Sequence, residues 1–592
     1  MLLDSRRHDL KLLLGLIGLA QGFALYLLVQ KGVVVNGVNA VSAGLIVFFI
    51  AAPLAAYIGF DPDRLRASTI FALVVGALLG LALGINQGLV GDGGVNGPAY
   101  FAAEFLAIAI SGCVALAFFQ TFPAQDGVRF PYDQLFEHGW TNAMLILVAA
   151  VYTGVVWLVL ALWAALFNIV DITIFRRIFG DSLFIWVFTP FAVAISFSLA
   201  RDHAKLVYAL RSLCITLARV LAPVVAVIAV LFLAALPFTG LAPLWKTSAA
   251  TPILLVLIGL SILLMTGVVN DGKSDLALPK PALWIIAVEL ALMPVLAGLA
   301  LYATSLRIQQ YGLTPARIYS LIIIVVAAAH ALGYCYGVLR HRSRWPQWVT
   351  RVNPPLAIGV VAVVLLMQMP WINPYAVSVR DQMARLVNGK VDAAKFDYGV
   401  FRFELGKYGA KAIQRLASDK TMPNHDAIGA GLKTLAEANS SFEWRARQRG
   451  DIGGSVTPED VLKTITTVPA DLKIPDALVQ VLATTGNFAV RQCKTSTLFK
   501  CYLIPKDIDG DGQPEYLLLS AGGLVPFVMI YAQTTASGGK TPGWTMLRTQ
   551  ISGLQPGSGD AFVDALISGK ITLTAPRYQN LQVGPATIQI TH

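Results

Sequence analysis

Apolar runs of about twenty residues recur eleven times in the first 370 residues, and each is long enough to carry an α-helix across roughly 30 Å of hydrocarbon. They lie near 11–30, 38–58, 67–87, 99–120, 142–170, 182–200, 215–238, 250–269, 282–304, 317–338 and 355–370, the fifth long and the eleventh short. Backbone polar groups in lipid must be satisfied within the segment, so runs this rich in Leu, Ala, Val and Ile are predicted to be helices. Overall, 56% of the 592 residues are hydrophobic and 13% charged, against about 45–50% and about 25% in soluble globular proteins. That balance excludes an ordinary water-soluble enzyme. A net charge of +11, +7 of it from residues 1–370, is too evenly spread for a nucleic-acid footprint.

Lys and Arg set the expected orientation, because short cytoplasmic loops retain positive charge. With the N-terminus cytoplasmic, inner loops hold 15 basic residues, among them Arg64, Arg129, Arg201 and Arg211, and outer loops hold six, Lys31, Arg176, Arg177, Lys246, Arg307 and Arg317. Eleven crossings from an inner start put residues 371–592 outside; an even count would reverse that. The first run is read as a retained anchor, since no small-x-small cleavage site follows Gln30.

After Trp371-Ile-Asn-Pro-Tyr375 the charge rises and the apolar period becomes amphipathic. The chain therefore divides into a bundle at 1–370, a helical linker region at 371–470 and an α+β domain at 471–592. Helices are predicted at 375–388, at 396–417 and near 474–486, and Thr457, Pro458 and Asp460 form an N-terminal capping signal. Period-two runs follow: NFAVRQC, TLFKCYLI, EYLLLS, VPFVMIYA, WTMLRTQ and ATIQITH, an antiparallel sheet. Cys493 and Cys501 would sit on two arms of a hairpin, as a disulfide in an oxidising compartment or as two free thiols.

The sharpest motif is Asp507-Ile-Asp509-Gly-Asp511-Gly512-Gln513-Pro-Glu515. Alternating carboxylates, a glycine at position six and an acid at nine suit a hard cation such as calcium. It is no EF-hand, since position twelve, Leu518, falls in a strand. The motif resembles the calcium loops of integrin-type extracellular β-repeats, and by that resemblance Asp507, Asp509, Asp511 and Glu515 supply side chains and Gln513 a carbonyl. A metal-free acidic turn is the alternative.

Ionisable side chains within spans are costly, so each is a functional hypothesis. Glu289 and His330 lie on consecutive spans at similar depth and can meet, either as a proton relay or, the reading favoured here, as a pair that fixes helix register. Glu104 and Arg219, nearer the surface, read as structural. In RIQQYGLTPARIYS, Thr314 can cap the tenth span, and Arg307, Tyr311 and Arg317 stand beside that helix N-terminus, which favours an anion or lipid headgroup; interfacial anchoring with an ordinary cap is the plainer reading. His138, beside Asp133 and Glu137, reads as an interfacial loop. There is no P-loop, HExxH, GxSxG or CxxC motif.

The order of a basic N-terminus, many spans, FPYDQLFEHGWTNA, YGLTPARIY and FDYGVFRFELGKYG resembles the bacterial inner-membrane family known as domain of unknown function 4153, over residues 1 to about 417. The resemblance implies an inner-membrane, multi-pass fold and no particular reaction. Three functional classes follow. The first is a non-enzymatic envelope protein whose periplasmic domain binds a protein or glycan partner. The second is a transporter or flippase of an anionic or lipid-linked substrate, proton-coupled through Glu289 and His330, and the third is a membrane-embedded transferase. The expected contacts are the lipid bilayer and a periplasmic partner, with calcium at the acidic loop.

Overall fold

A computed structural model describes residues 2–30, 40–91, 97–122, 130–241, 249–273, 278–436, 438, 441, 444–445, 457–484, 490, 493–494, 499–510, 512–522, 527–534, 543–547, 559–569, 581–583 and 586–588. The chain forms two compact units, Met1–Glu437 and Ala438–His592.

The first unit is helical. Its long helices are α1 (Leu2–Val29), α2 (Ala40–Gly59), α3 (Leu65–Val90), α4 (Gly97–Thr121) and α5 (Tyr132–Ile169). After the short α6 (Ile174–Phe179) come α7 (Ser182–Asp202), α8 (Ala204–Thr239), α9 (Ala250–Val269), α10 (Lys280–Tyr311), α11 (Pro315–His341) and α12 (Trp345–Met367). Among the described residues ten segments are long and apolar enough to cross a membrane, and the last of them, Pro315–Met367, contains both α11 and α12. The 3-10 turn Arg342–Arg344 divides it, with Arg342 at φ +45°. Beyond the turn α12 runs back along α11: Tyr334 donates to Asn353 (2.7 Å) and the Trp348 indole to the Gly333 carbonyl (3.0 Å). Counted by helix, eleven long helices stand among the described residues. The eleventh was expected at 355–370 but begins at Trp345, because Pro354 and Pro355 lie inside the helix and Arg351 belongs to it.

Close packing rests on small residues, as lipid offers helices no hydrophobic reason to associate. The α2–α3 seam carries Gly44, Gly80 and Gly84, and a Cβ on Gly80 would lie 2.6 Å from the Gly44 carbonyl oxygen. Ile286, Leu290, Met293 and Tyr334 lie in a second buried cluster, around α10.

Helix ends sort into two faces. On the first, Lys11 meets Asp202 (2.5 Å), Lys273 meets Asp133 (2.6 Å), Arg211 meets Glu137 (3.5 Å), and Arg64 donates to the Phe122 carbonyl (2.6 Å). On the second, Asn373 donates to Asn86 (2.8 Å) and Tyr319 to Glu104 (2.7 Å). The chain beyond α12 packs on this second face as α13 (Pro374–Val387), α14 (Gly399–Phe403), α15 (Gly406–Ser418) and α16 (His425–Ala436), with Lys407 donating to the Gly88 carbonyl (3.1 Å). The single helix expected over 396–417 is thus broken, at Gly406 with φ +52°. The unit boundary at 437–438, set against the sequence divisions at 370 and 470, reflects this packing.

The second unit holds α17 (Pro458–Thr464), β1 (Ile465–Thr467), α18 (Asp476–Thr484), β2 (Lys500–Lys506), β3 (Glu515–Ala521), β4 (Phe527–Thr534), β5 (Gly543–Leu547), α19 (Gly559–Ile567), β6 (Leu581–Val583) and β7 (Ala586–Ile588). The main sheet runs β1-β2-β3-β4-β5 and is mixed, because β1 lies parallel to β2; β6 and β7 pair separately. Of NFAVRQC, expected as a strand, only Val490 and Cys493 are described and both are helical. On one face of the sheet Leu503, Leu518 and Tyr531 pack with Val461, Leu478 and Leu482. On the other, Ile504, Leu517, Leu519 and Val528 meet Phe562 and Leu566 of α19. With helices on both faces, β3 is buried along nearly its whole length, which explains why EYLLLSA is a continuous apolar run.

Candidate functional site

The acidic loop connects β2 to β3, whose last pair is Lys506 with Glu515. Asp507 accepts the backbone N–H of Gly510 (2.7 Å) and of Gly512 (3.1 Å), and Glu515 accepts that of Ile508 (2.7 Å). Gly510 and Gly512 have φ of +81° and +85°, a left-handed conformation that glycine adopts without a Cβ penalty. This turn gathers one carboxylate oxygen each from Asp507, Asp509 and Glu515 to within 4.8 Å of one another. Glu515 is buried, Asp507 half-buried and Asp509 exposed. Like charges so close repel, and a hard cation with oxygen ligands is the partner that chemistry suits. Gln513 is exposed on the same loop, and Asp511 lies outside the described residues. At the other end of β2 in the same unit, Cys493 and Cys501 are joined as a disulfide, linking a helical residue to β2 rather than two hairpin arms.

Inside the bundle, Glu289 is 2% exposed and accepts a hydrogen bond from the Ser261 hydroxyl of α9. His330 places Nδ1 2.9 Å from the Val326 carbonyl of its own helix and sets its ring edge-on to Tyr334. Each therefore has its own partners, and no hydrogen bond or ion pair joins the two.

The YGLTPARIY loop is occupied by the chain itself. Arg317 donates to the Gly312 carbonyl (2.6 Å) beneath the Tyr311 ring, 5.4 Å away, while Arg307 is exposed. Thr314 occupies the N-cap position without a side-chain cap bond. Helix α13 covers the loop: Asp381 accepts the Leu313 N–H (2.7 Å), Ser378 and Gln382 donate to the Leu313 carbonyl (2.9 and 3.0 Å), and Arg385 donates to the Gln309 and Gln310 carbonyls (3.2 Å each). The backbone of residues 308–313 thus seats α13, while the Arg307 side chain stays exposed and Arg317 is held on its own loop.

A model of the family Domain of unknown function (DUF4153) matches residues 47–416, more than half of the chain. The chain belongs to this family. No curated protein and no solved structure matches it. The DUF4153 match includes the seat of α13 and stops at Leu416, a buried residue of α15, so the acidic loop lies outside it.

Within the DUF4153 segment the structure also brings together residues that sequence reasoning kept apart. On the first face, a polar cavity of about 240 Å³ is lined by Asp61, Arg64, Ser68, Gln120, His138 and Arg201. Arg201 donates to the Tyr57 (3.3 Å) and Phe60 carbonyls, which holds the end of α2 against the end of α7. On the second face, Asn86, Asn373 and Glu104 are each no more than 6% exposed. The excess of arginine in first-face loops and the FPYDQLFEHGW segment carried a signal for the cavity, but its members are spread over 141 positions and converge only through helix packing.

Proposed function

We propose that this protein is a non-enzymatic component of a bacterial inner membrane, with its N-terminus cytoplasmic and the Ala438–His592 unit held in the periplasm, where it binds a protein or glycan partner. The observation that carries the reading is charge sidedness: between the apolar runs, the segments expected on the N-terminal side hold 15 basic residues and those expected opposite hold six. The Cys493–Cys501 disulfide supports an oxidising compartment for the second unit. In this reading calcium sits at Asp507, Asp509 and Glu515 and stiffens the β2–β3 connection, while the bundle serves as anchor. Transport through Glu289 and His330 draws less support, as the two side chains are partnered separately.

Two measurements test it. Protease added to spheroplasts is expected to cleave after residue 437 and leave the first-face loops intact; the reverse pattern would invert the topology. Calorimetric calcium titration of the detergent-solubilised full chain is expected to give one site, lost in the Asp507→Ala, Asp509→Ala double variant. Equal heats from both proteins would leave the loop as a plain turn.

A further inference from the structure

The polar cavity on the first face has an apolar neighbour. A second cavity, of about 180 Å³, lies between α2, α3 and α4, and Ile58 lines both. Its α2 wall runs from Val47 to Ile58, eleven residues of helix or about 16 Å, close to half of a roughly 30 Å hydrocarbon core. The polar cavity sits where α2, α4 and α7 end and where α3 and α5 begin, the depth of lipid headgroups in a membrane crossed by these helices. Its charged lining sets two guanidiniums, Arg64 and Arg201, against one carboxylate, Asp61, whose oxygen accepts the Asp63 N–H. Among the described residues, each hydrogen bond of these guanidiniums uses a single N–H: Arg64 on the Phe122 carbonyl, Arg201 on two carbonyls. A guanidinium carries five N–H donors, so donors remain for an anion. His138 belongs to the same lining.

We infer that this pair of cavities is a binding site for one anionic phospholipid, its phosphate between Arg64, Arg201 and His138 and one acyl chain along α2 from Ile58 toward Val47. A positively lined pocket at headgroup depth above an apolar slot one leaflet deep recognises the two ends of such a molecule together, which neither a soluble anion nor an uncharged chain would satisfy.

The test is native mass spectrometry of the full chain released from detergent micelles containing either phosphatidylglycerol or phosphatidylcholine. One phosphatidylglycerol should be retained per chain, at least tenfold over phosphatidylcholine. Retention should fall about tenfold in Arg64→Gln with His138→Gln, and by a similar factor in Ala51→Leu, which narrows the apolar slot without touching a charge. Unfolding temperatures in lipid-free detergent identify any variant that has lost its fold, and Ala51→Leu, a cavity-filling change, should be at least as stable as the parent. Equal retention of the two lipids, or undiminished phosphatidylglycerol retention in both variants, overturns the site. Thermal protection by glycerol phosphate equal to that by the lipid would also overturn it, by revealing a soluble-anion pocket.

Discussion

The two units of this chain are held together by different means. The bundle brings backbones into contact at small residues and spends its few buried polar groups on one another: Gly80 against Gly44, Asn373 on Asn86, Tyr319 on Glu104. Its three described cysteines, Cys113, Cys214 and Cys335, are unpaired. The second unit uses devices suited to water: a capping box at Thr457 and Asp460, a tight glycine-bearing connection between strands, and a disulfide. In lipid the hydrophobic effect cannot sort one helix from another, so steric fit and polar bonds must do it. In water apolar burial does most of that work, and covalent or charged ties add to it.

The largest effect should come from the seam. Gly80→Leu forces α2 and α3 apart and should cost about 3 kcal/mol, read as the unfolding temperature of the bundle in detergent; an unchanged value would mean that the seam is not where the helices are held. Next, Cys493→Ala with Cys501→Ala should cost the second unit about 2–3 kcal/mol, the closure entropy of a short loop, and leave hydrogen exchange in α2 and α3 untouched. Asn373→Ala removes the partner of a buried amide and should cost roughly 2 kcal/mol, confined to the bundle.

The smallest effect is a matter of pH. The Lys494 ammonium and the Thr457 N–H hold the Asp460 carboxyl down at about 2, where an unfolded aspartate titrates near about 3.9. A depressed folded value means that this stabilisation is complete above about pH 4 and lost as pH falls toward 2. Acid unfolding of the second unit should therefore lose part of its pH dependence in Asp460→Asn, while the bundle shows no difference between the two proteins.

The contrast between the units also decides what could be read from the amino acids. Apolar runs gave the long helices because lipid permits little else over twenty residues. The exceptions mark where polar residues join a helix: α5 begins at Tyr132, ten residues before the apolar run, and α12 begins at Trp345. The capping signal at Thr457 and Asp460 appears as a capping box, as local geometry alone can form one. Strands β2 to β5 were legible from their alternation or apolar run, whereas β1 was not, since three residues, Ile465–Thr467, carry no period and depend on β2 alongside. The acidic loop was visible as a motif because its groups are contiguous. The cavity of Arg64, His138 and Arg201 and the bond between Asn86 and Asn373 were not, for each depends on which helix packs beside which.

That last bond separates its two partners by 287 positions, and this bears on how the protein is made. At about 5–20 residues per second a ribosome needs roughly 15–60 s to reach Asn373 after completing Asn86. Until then the Asn86 amide lacks its final partner, and the second face of the bundle has no cover. A chain released early would lack α13 and its hydrogen bonds to residues 308–313. Arrival of α13 thus closes the seat at residues 308–313 while the rest of the chain, the second unit included, has still to be made.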